Sequence, residues 1–456
     1  MPASAEQPLS AFDPAAHPAF RFLERALGAD GAVTLRYALG SGYEFTERIA
    51  LPVSRPLRPE AIEAASGLLA LLHWVAGVSY YKAALPAEVG FEGAAPGPAA
   101  AALLEALYSE GLAELAYRNG LALPRPRFGA ASAAPAPTPA PGGPPSRTLV
   151  PVGGGKDSAV AIEVMRRCGG EVELFSVGDA PPIARTAAVA ALPRLVATRT
   201  LDPLLFELNA AGAVNGHVPV TAIVTCIALL TAALNGFDAV AMANERSASA
   251  GNLRWDGTEV NHQFSKSLRA ERLLAAALAE SGAAVRQFSV LRPASELAIA
   301  RAFARMEPYH EAFTSCNAIF RIDPSLRASS WCRDCPKCRF VFLALAPFSE
   351  PAHLAAVFGA DLLEDPGQFE GFALLAASGG HKPFECVGEE EESLAAMRML
   401  AADERWREHA VVARLAEEVL PVHPPPAGDP AAALGLSAEH DVPDGLMPCV
   451  RAVLGA

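Results

Sequence analysis

Short apolar runs alternate with amphipathic stretches through the middle of this chain. TLVPVG, EVELFSV, RLVATRT, DAVAMAN and VRQFSVL are separated by helical patterns starting near positions 157, 185, 218 and 264. Strands that are apolar throughout are covered on both faces, and the intervening helices supply that cover. The pattern predicts an α/β class, with a parallel sheet covered by helices on both faces. Ligands of such sheets collect beyond the carboxyl ends of the strands. The loops in VPVGGGKDS and AMANERSAS should therefore reach one common edge.

Earlier in the chain, VTLRYAL and FTERIAL read as two strands joined through Gly40, Ser41 and Gly42, followed by helical patterns over 60–75 and 99–116. This predicts a small α+β domain over 1–123. Residues 124–147 are rich in Pro, Ala and Gly without apolar periodicity, as in a linker. The sheet domain follows over 148–312, and a cysteine-rich helical extension over 313–420. A Pro-rich tail, 421–456, is expected to be poorly ordered. The longest apolar stretch, 218–234, is broken by Pro219, Thr221, Thr225 and Thr231 and is short for a bilayer span, so it reads as a buried core helix and no membrane is expected. Tyr80, Tyr81 and Lys82 read more readily as packing residues than as a ligand surface.

Composition narrows the partners. With 456 residues, 51% of them hydrophobic and 19% charged, the chain can bury sizeable cores. A formal charge of -13 speaks against a non-specific grip on nucleic acid and favours a small soluble substrate. The opening MPASAEQPLS lacks a basic region followed by an apolar run, so a cytoplasmic location is expected. Eight cysteines in such a chain point to metal binding or catalysis rather than a disulfide framework.

The chemistry centres on GGGKDS at 153–158. Gly153, Gly154 and Gly155 stand between an expected strand and an expected helix, where backbone N–H groups can approach an anion unobstructed. A Walker loop would need Gly where Val150 stands and Ser or Thr where Asp157 stands; a dinucleotide fingerprint would need Gly at Ser158. The segment instead resembles the PP-loop signature of ATP pyrophosphatases, with Gly153 replacing its usual first Ser. That resemblance implies that Gly154, Gly155 and Ser158 cradle the pyrophosphate half of ATP, that Asp157 helps hold Mg2+, and that Lys156 offsets phosphate charge. Further on, WCRDCPKC spaces Cys332, Cys335 and Cys338 evenly, and Cys316 supplies a fourth thiolate for a structural Zn2+. An iron-sulfur cluster is the weaker alternative. A similar arrangement follows the sheet in PP-loop enzymes of the 7-cyano-7-deazaguanine synthase type.

Longer stretches, among them VAGVSYYKAALP, GLAELAYRNG, LFELNAAGAVNGHVPVTA, ANERSAS, EVNHQFSKS, LRPASELAIAR and HKPFECVGE, resemble the MurL family from about position 20 to 418. The resemblance implies an ATP-dependent epimerase that inverts the terminal L-Glu of UDP-MurNAc-L-Ala-L-Glu, releasing AMP and pyrophosphate during peptidoglycan precursor synthesis. Its functional partner would be the ligase that adds L-Glu. Adenylating the α-carboxylate removes the charge that opposes loss of the α-proton, which gives such an enzyme its need for ATP. Candidate proton carriers are Cys386 and His381 first, then Glu245, His262 and His217. Arg246 and Lys266 are candidate anion clamps, preferred over Arg292 and Arg301.

Overall fold

Gly40, with a φ of 59°, turns the chain back so that β2 (Ala32–Leu39) and β3 (Tyr43–Ala50) pair antiparallel from Leu39↔Tyr43 to Ala32↔Ala50. The hairpin is flanked by β1 (Ala19–Leu27), antiparallel to β2, and by β4 (Glu88–Phe91), parallel to β1. β1 and β4 are additions to the sequence reading. A bulge between Phe22 and Arg25 breaks the alternation of β1, and β4 is too short to show a period.

The computed structural model describes residues 11–129, 143–321, 324–377 and 382–455. They divide into two compact units. The first holds these strands, Ala197–Gly236 and Arg272–Ala284. The second holds the described residues of 143–196, Phe237–Glu271 and those from 285 onward. The partition differs from the expected domain bounds because Val220–Leu234, assigned above to the sheet domain, belongs to the first unit. That helix is apolar on nearly every face and must be buried all round, and it packs on the equally apolar Ser66–Ala76.

The first unit's core is aromatic. Phe20, Tyr37, Tyr80, Tyr81 and Tyr108 are fully buried, and the hydroxyls of Tyr37, Tyr81 and Tyr108 donate to the carbonyls of His73, Pro86 and Trp74. Gly77 permits this packing, since a Cβ there would lie 2.6 Å from Cε1 of Phe22. Lys82 is buried as well, donating to Asn215 Oδ1 at 2.7 Å and Asn209 Oδ1 at 3.3 Å. Of the stretch expected as a linker, 130–142 lie outside the described residues. Phe128, within its described part, is buried against Tyr108.

In the second unit, β5 (Arg147–Pro151) pairs in parallel with β6 (Glu171–Val177) on one side. β7 (Arg194–Thr200) then carries the chain into the first unit, where its end pairs antiparallel with β3. On its other side β5 pairs in parallel with β8 (Ala239–Met242). β9 (Leu253–Trp255) and β10 (Thr258–Val260) form a separate hairpin, and β11 (Arg286–Ser289) extends the parallel sheet beyond β8. Helices including Lys156–Arg167 and Glu296–Phe303 bury their apolar faces in this unit's core.

The Pro-rich tail departs from its expected poor order. It forms the helices Pro430–Leu434 and Met447–Leu454, and buries Val442, Leu446, Val450 and Leu454. The thiols of Cys449 and Cys168 share a hydrogen bond, which ties the last helix to the end of Lys156–Arg167. The prolines of 421–430 obscured an amphipathic period that resumes behind them. Leu454→Ala should therefore cost about 2–5 kcal/mol, read as a lower denaturation midpoint. A change within about 0.5 kcal/mol would mean that the tail is not packed.

Candidate active site

Because β5 pairs with β6 on one side and β8 on the other, the chain's connections leave β5 in opposite directions. This is the switch point at which open α/β sheets form a ligand crevice. Two loops leave its carboxyl edge, 152–155 after β5 and 243–245 after β8. In the first, Gly154 has a φ of 83°, and a Cβ there would lie 2.6 Å from the carbonyl carbon of Pro182. The Gly154 carbonyl accepts from the Thr314 N–H at 3.0 Å. Gly155 caps the helix Lys156–Arg167. Among the described residues the N–H groups of Gly154 and Gly155 make no hydrogen bond, which leaves two donors at a helix N-terminus available to an anion. Gly153 differs, since its N–H donates to Ser158 Oγ at 2.9 Å and closes the loop on itself.

Lys156 is 1% exposed, and its ammonium donates to the carboxylates of Asp157 and Glu296. Glu296 begins the helix Glu296–Phe303, whose cap Ser295 accepts from the Ala298 N–H at 2.9 Å. Carboxylate oxygens of Asp157, Glu245 and Glu296 lie within 4.8 Å of one another. Glu245 is buried, and its Oε1 has no hydrogen-bond partner among the described residues. Desolvation, reinforced by the charge of Asp157, pushes the Glu296 carboxyl up to about 7. Desolvation opposes ionisation of Asp157 too, but Lys156 and Lys337 hold its carboxyl below the usual range. Three carboxylates this close carry more negative charge than Lys156 alone offsets, and their hard oxygen donors fit Mg2+.

Cys386 joins the same cluster. Lys266 Nζ lies 3.4 Å from its Sγ and 3.3 Å from Gln263 Oε1, while Lys337 Nζ donates to the Cys386 carbonyl. Desolvation alone would raise the thiol, but the Lys266 ammonium, a hydrogen bond from His262 and the Lys337 ammonium hold it well below its ordinary range. These neighbours favour the thiolate form. Lys266 also feels the charges of Glu245, Asp157 and Glu296, so phosphate loop, carboxylates and thiolate form one electrostatic unit.

Backbone contacts hold the cluster in place. Arg292, 1% exposed, pairs with Glu271 at 2.7 Å and donates to the carbonyls of Glu245 and Lys266. Glu271 also accepts from the Ser289 N–H of β11 at 3.0 Å. Asn252 accepts from the His262 N–H at 2.9 Å and donates to the Pro383 carbonyl at 2.7 Å. Asn252, just before β9, therefore ties the Cys386 segment to the hairpin β9–β10 and to the polar stretch EVNHQFSKS.

The sulfurs of Cys316, Cys332, Cys335 and Cys338 also lie within 4.8 Å of one another, and those of Cys332 and Cys338 are 3.7 Å apart. A tetrahedron of Zn–S bonds near 2.3 Å needs sulfurs about 3.8 Å apart, so the set fits zinc. Backbone N–H groups of Cys332 and Cys338 point at the sulfurs of Cys316 and Cys335, each at 3.4 Å.

The structure thus brings Lys156, Asp157, Glu245, His262, Lys266 and Cys386 together, while Arg246 and Arg301 stand elsewhere. Arg246 lines a cavity of about 490 Å³ with Glu389, Glu391 and Glu392, an acidic setting for an anion clamp, and donates to the Gly435 carbonyl. His217 lies in the first unit near Glu114. His381 lies outside the described residues. Lys382 faces Glu392, Glu389 and Glu245, so the cations beside Cys386 are Lys266 and Lys337 instead. Arg292 is a buried brace, and Arg301 donates to the carbonyls of Leu454 and Gly455. Glu296 and Lys337 were missed. The available signals were a lone carboxylate opening the apolar run ELAIARAF, and a lysine enclosed by the cysteine knuckle. Arg292→Met strands the Glu271 carboxylate and should cost about 3–5 kcal/mol in denaturant unfolding; a loss below about 1 kcal/mol would contradict its bracing role.

Comparison with known proteins agrees with this architecture. The family model described as the MurL N-terminal domain matches residues 11–290, and that of the MurL C-terminal domain matches 312–427. A UDP-N-acetyl-alpha-D-muramoyl-L-alanyl-L-glutamate epimerase of Salinispora tropica is 50% identical over 387 residues, covering 82% of each chain. One from a Micromonospora species is 49% identical over 402 residues, 86% of this chain and 88% of its own. Another, from Xanthomonas oryzae pv. oryzae, is 43% identical over 452 residues, 97% of this chain and 99% of its own. With both domain models matched in order and relatives alike over nearly the whole length, this chain belongs to the MurL family.

Proposed function

We propose that this chain is a cytoplasmic PP-loop enzyme that inverts the terminal L-Glu of UDP-MurNAc-L-Ala-L-Glu to D-Glu at the expense of ATP. Its substrate would come from the ligase that adds L-Glu to UDP-MurNAc-L-Ala. The observation that carries this reading is the Cys386 sulfur, 3.4 Å from the Lys266 ammonium, standing in one charged cluster with the carboxylates beside the glycine loop. An anion cradle alone explains nucleotide binding, and a thiolate alone explains a base. Together they match a reaction that activates a carboxylate and then moves the neighbouring proton.

In the first step an oxygen of the glutamate α-carboxylate bonds to the α-phosphorus of ATP, and pyrophosphate leaves. The N–H groups of Gly154 and Gly155 bind the leaving pyrophosphate, and Lys156 offsets its charge. Asp157 and Glu296 would hold Mg2+, which supplies further neutralisation of the phosphates when bound. The carbonyl no longer carries a full negative charge, so a side-chain base can remove the α-proton. Cys386 takes that proton on one face; Lys266 faces the enolate oxygen, and Glu245 carries the proton on the other face. Water then cleaves the adenylate, giving AMP and a carboxylate. The four cysteines would hold Zn2+ as a structural ion.

Chiral analysis of the glutamate after incubation with ATP and Mg2+ should show D-Glu together with pyrophosphate, and persistence of L-Glu alone would reject the proposal. Cys386→Ala should lose about 10²–10⁴-fold in inversion while retaining ATP–pyrophosphate exchange; equal loss of both would place Cys386 in the first step instead. Because the thiol is held low, inversion should stay level as pH falls from about 8.5 to 7, where an ordinary thiol loses its thiolate. A decline centred near 8.5 would contradict the thiolate assignment.

A further inference from the structure

Two of the side chains that hold residues 385 and 386 belong to the cysteine knuckles. Asn317 follows Cys316, and its Nδ2 donates to the Glu385 carboxylate. Lys337 stands between Cys335 and Cys338, and its Nζ donates to the Cys386 carbonyl. One knuckle thus holds residue 385 and the other holds 386. Lys337 is buried, in the first turn of the helix Pro336–Leu345 that Cys335 caps. Upstream, the Thr314 N–H holds the Gly154 carbonyl, so the segment leading into Cys316 also touches the phosphate loop.

We infer that the metal held by the four cysteines sets the position of Cys386, with Asn317 and Lys337 as positioning residues that transmit it. This rests on the reading of the cysteines as a metal site and of Cys386 as a proton carrier. As thiolates, four sulfurs this close repel one another unless a cation offsets their charge, so the metal holds the two knuckles together and its loss lets them part. Asn317 and Lys337 then draw away from 385 and 386. The segment keeps its other attachments, Asn252 to the Pro383 carbonyl at 2.7 Å and Gln263 to the Val387 carbonyl at 3.4 Å. Cys386 therefore loses its setting without the segment unfolding.

The test is the iodoacetamide alkylation rate of Cys386, mapped by peptide mass spectrometry in the full-length protein, with zinc counted by elemental analysis and fold followed by circular dichroism. Stripping the metal should slow Cys386 about tenfold, as should Lys337→Met or Asn317→Ala with zinc in place. In the loaded Lys337→Met variant kcat should fall while KM for ATP holds, and Lys337→Arg should restore part of the rate. Stripping the Asn317→Ala, Lys337→Met double variant should slow Cys386 no further, since the route is already cut. An unchanged Cys386 rate after stripping, or metal and side-chain effects that multiply, overturns the inference. If stripped wild type loses its fold, the loaded variants decide, and a double variant with wild-type Cys386 rate and kcat overturns it. Zinc well under one equivalent in wild type defeats the metal reading itself, whereas full zinc with an indifferent Cys386 defeats only this inference.

Discussion

The site depends on burying Lys156. An ammonium almost fully removed from water requires negative partners, and Asp157 and Glu296 supply them from two different helices. Adding Glu245 makes the set too negative for one cation, and the charges of Lys266 and Lys337 enter the balance. Those lysines lower the Cys386 thiol against the desolvation that would raise it. Three ammoniums thus face three carboxylates and a thiolate, and each group's protonation depends on its neighbours. A site balanced this way is sensitive to the arrival of a polyphosphate with its metal. New negative charge beside the loop competes for Lys156 and Lys266, which links nucleotide binding to the state of the thiolate.

Such a balance needs fixed distances, and the second unit provides them. The glycine loop ends β5, Glu245 lies just beyond β8, and the Arg292–Glu271 pair ties Glu245, Lys266 and β11 together. The side chains that react are short or well braced. The parallel sheet sets the loops at one edge, and buried polar contacts set the groups within the loops.

Much of this was legible in the chain. The alternation of apolar runs and helices revealed the parallel sheet, and the three glycines before Lys156 marked the tight loop at its edge, because both features are local. Cys386, Glu245, His262 and Lys266 were also singled out, yet their convergence was not readable, since it depends on loops far apart in sequence meeting at a switch point. Arg292 looked like an anion clamp because a lone arginine carries no sign of its partner, and Glu271 is an ordinary first-turn glutamate until the fold closes over it. Glu296 and Lys337 were hidden by their company, one in an apolar helix and the other among cysteines. The tail was misread for a different reason. Proline density masked two short helices whose stability comes from tertiary packing rather than propensity.

The central claim is an order of events, with carboxylate activation first and proton loss second, in one cluster. Solvent deuterium at the glutamate α-carbon measures it most directly, with UDP-MurNAc-L-Ala-L-Glu in deuterated water and Mg2+, in the presence and absence of ATP. The account predicts α-deuterium in the inverted product only when ATP is present and pyrophosphate is released. Deuterium appearing at the α-carbon without ATP, or inversion that retains the original proton in every product molecule, would contradict it.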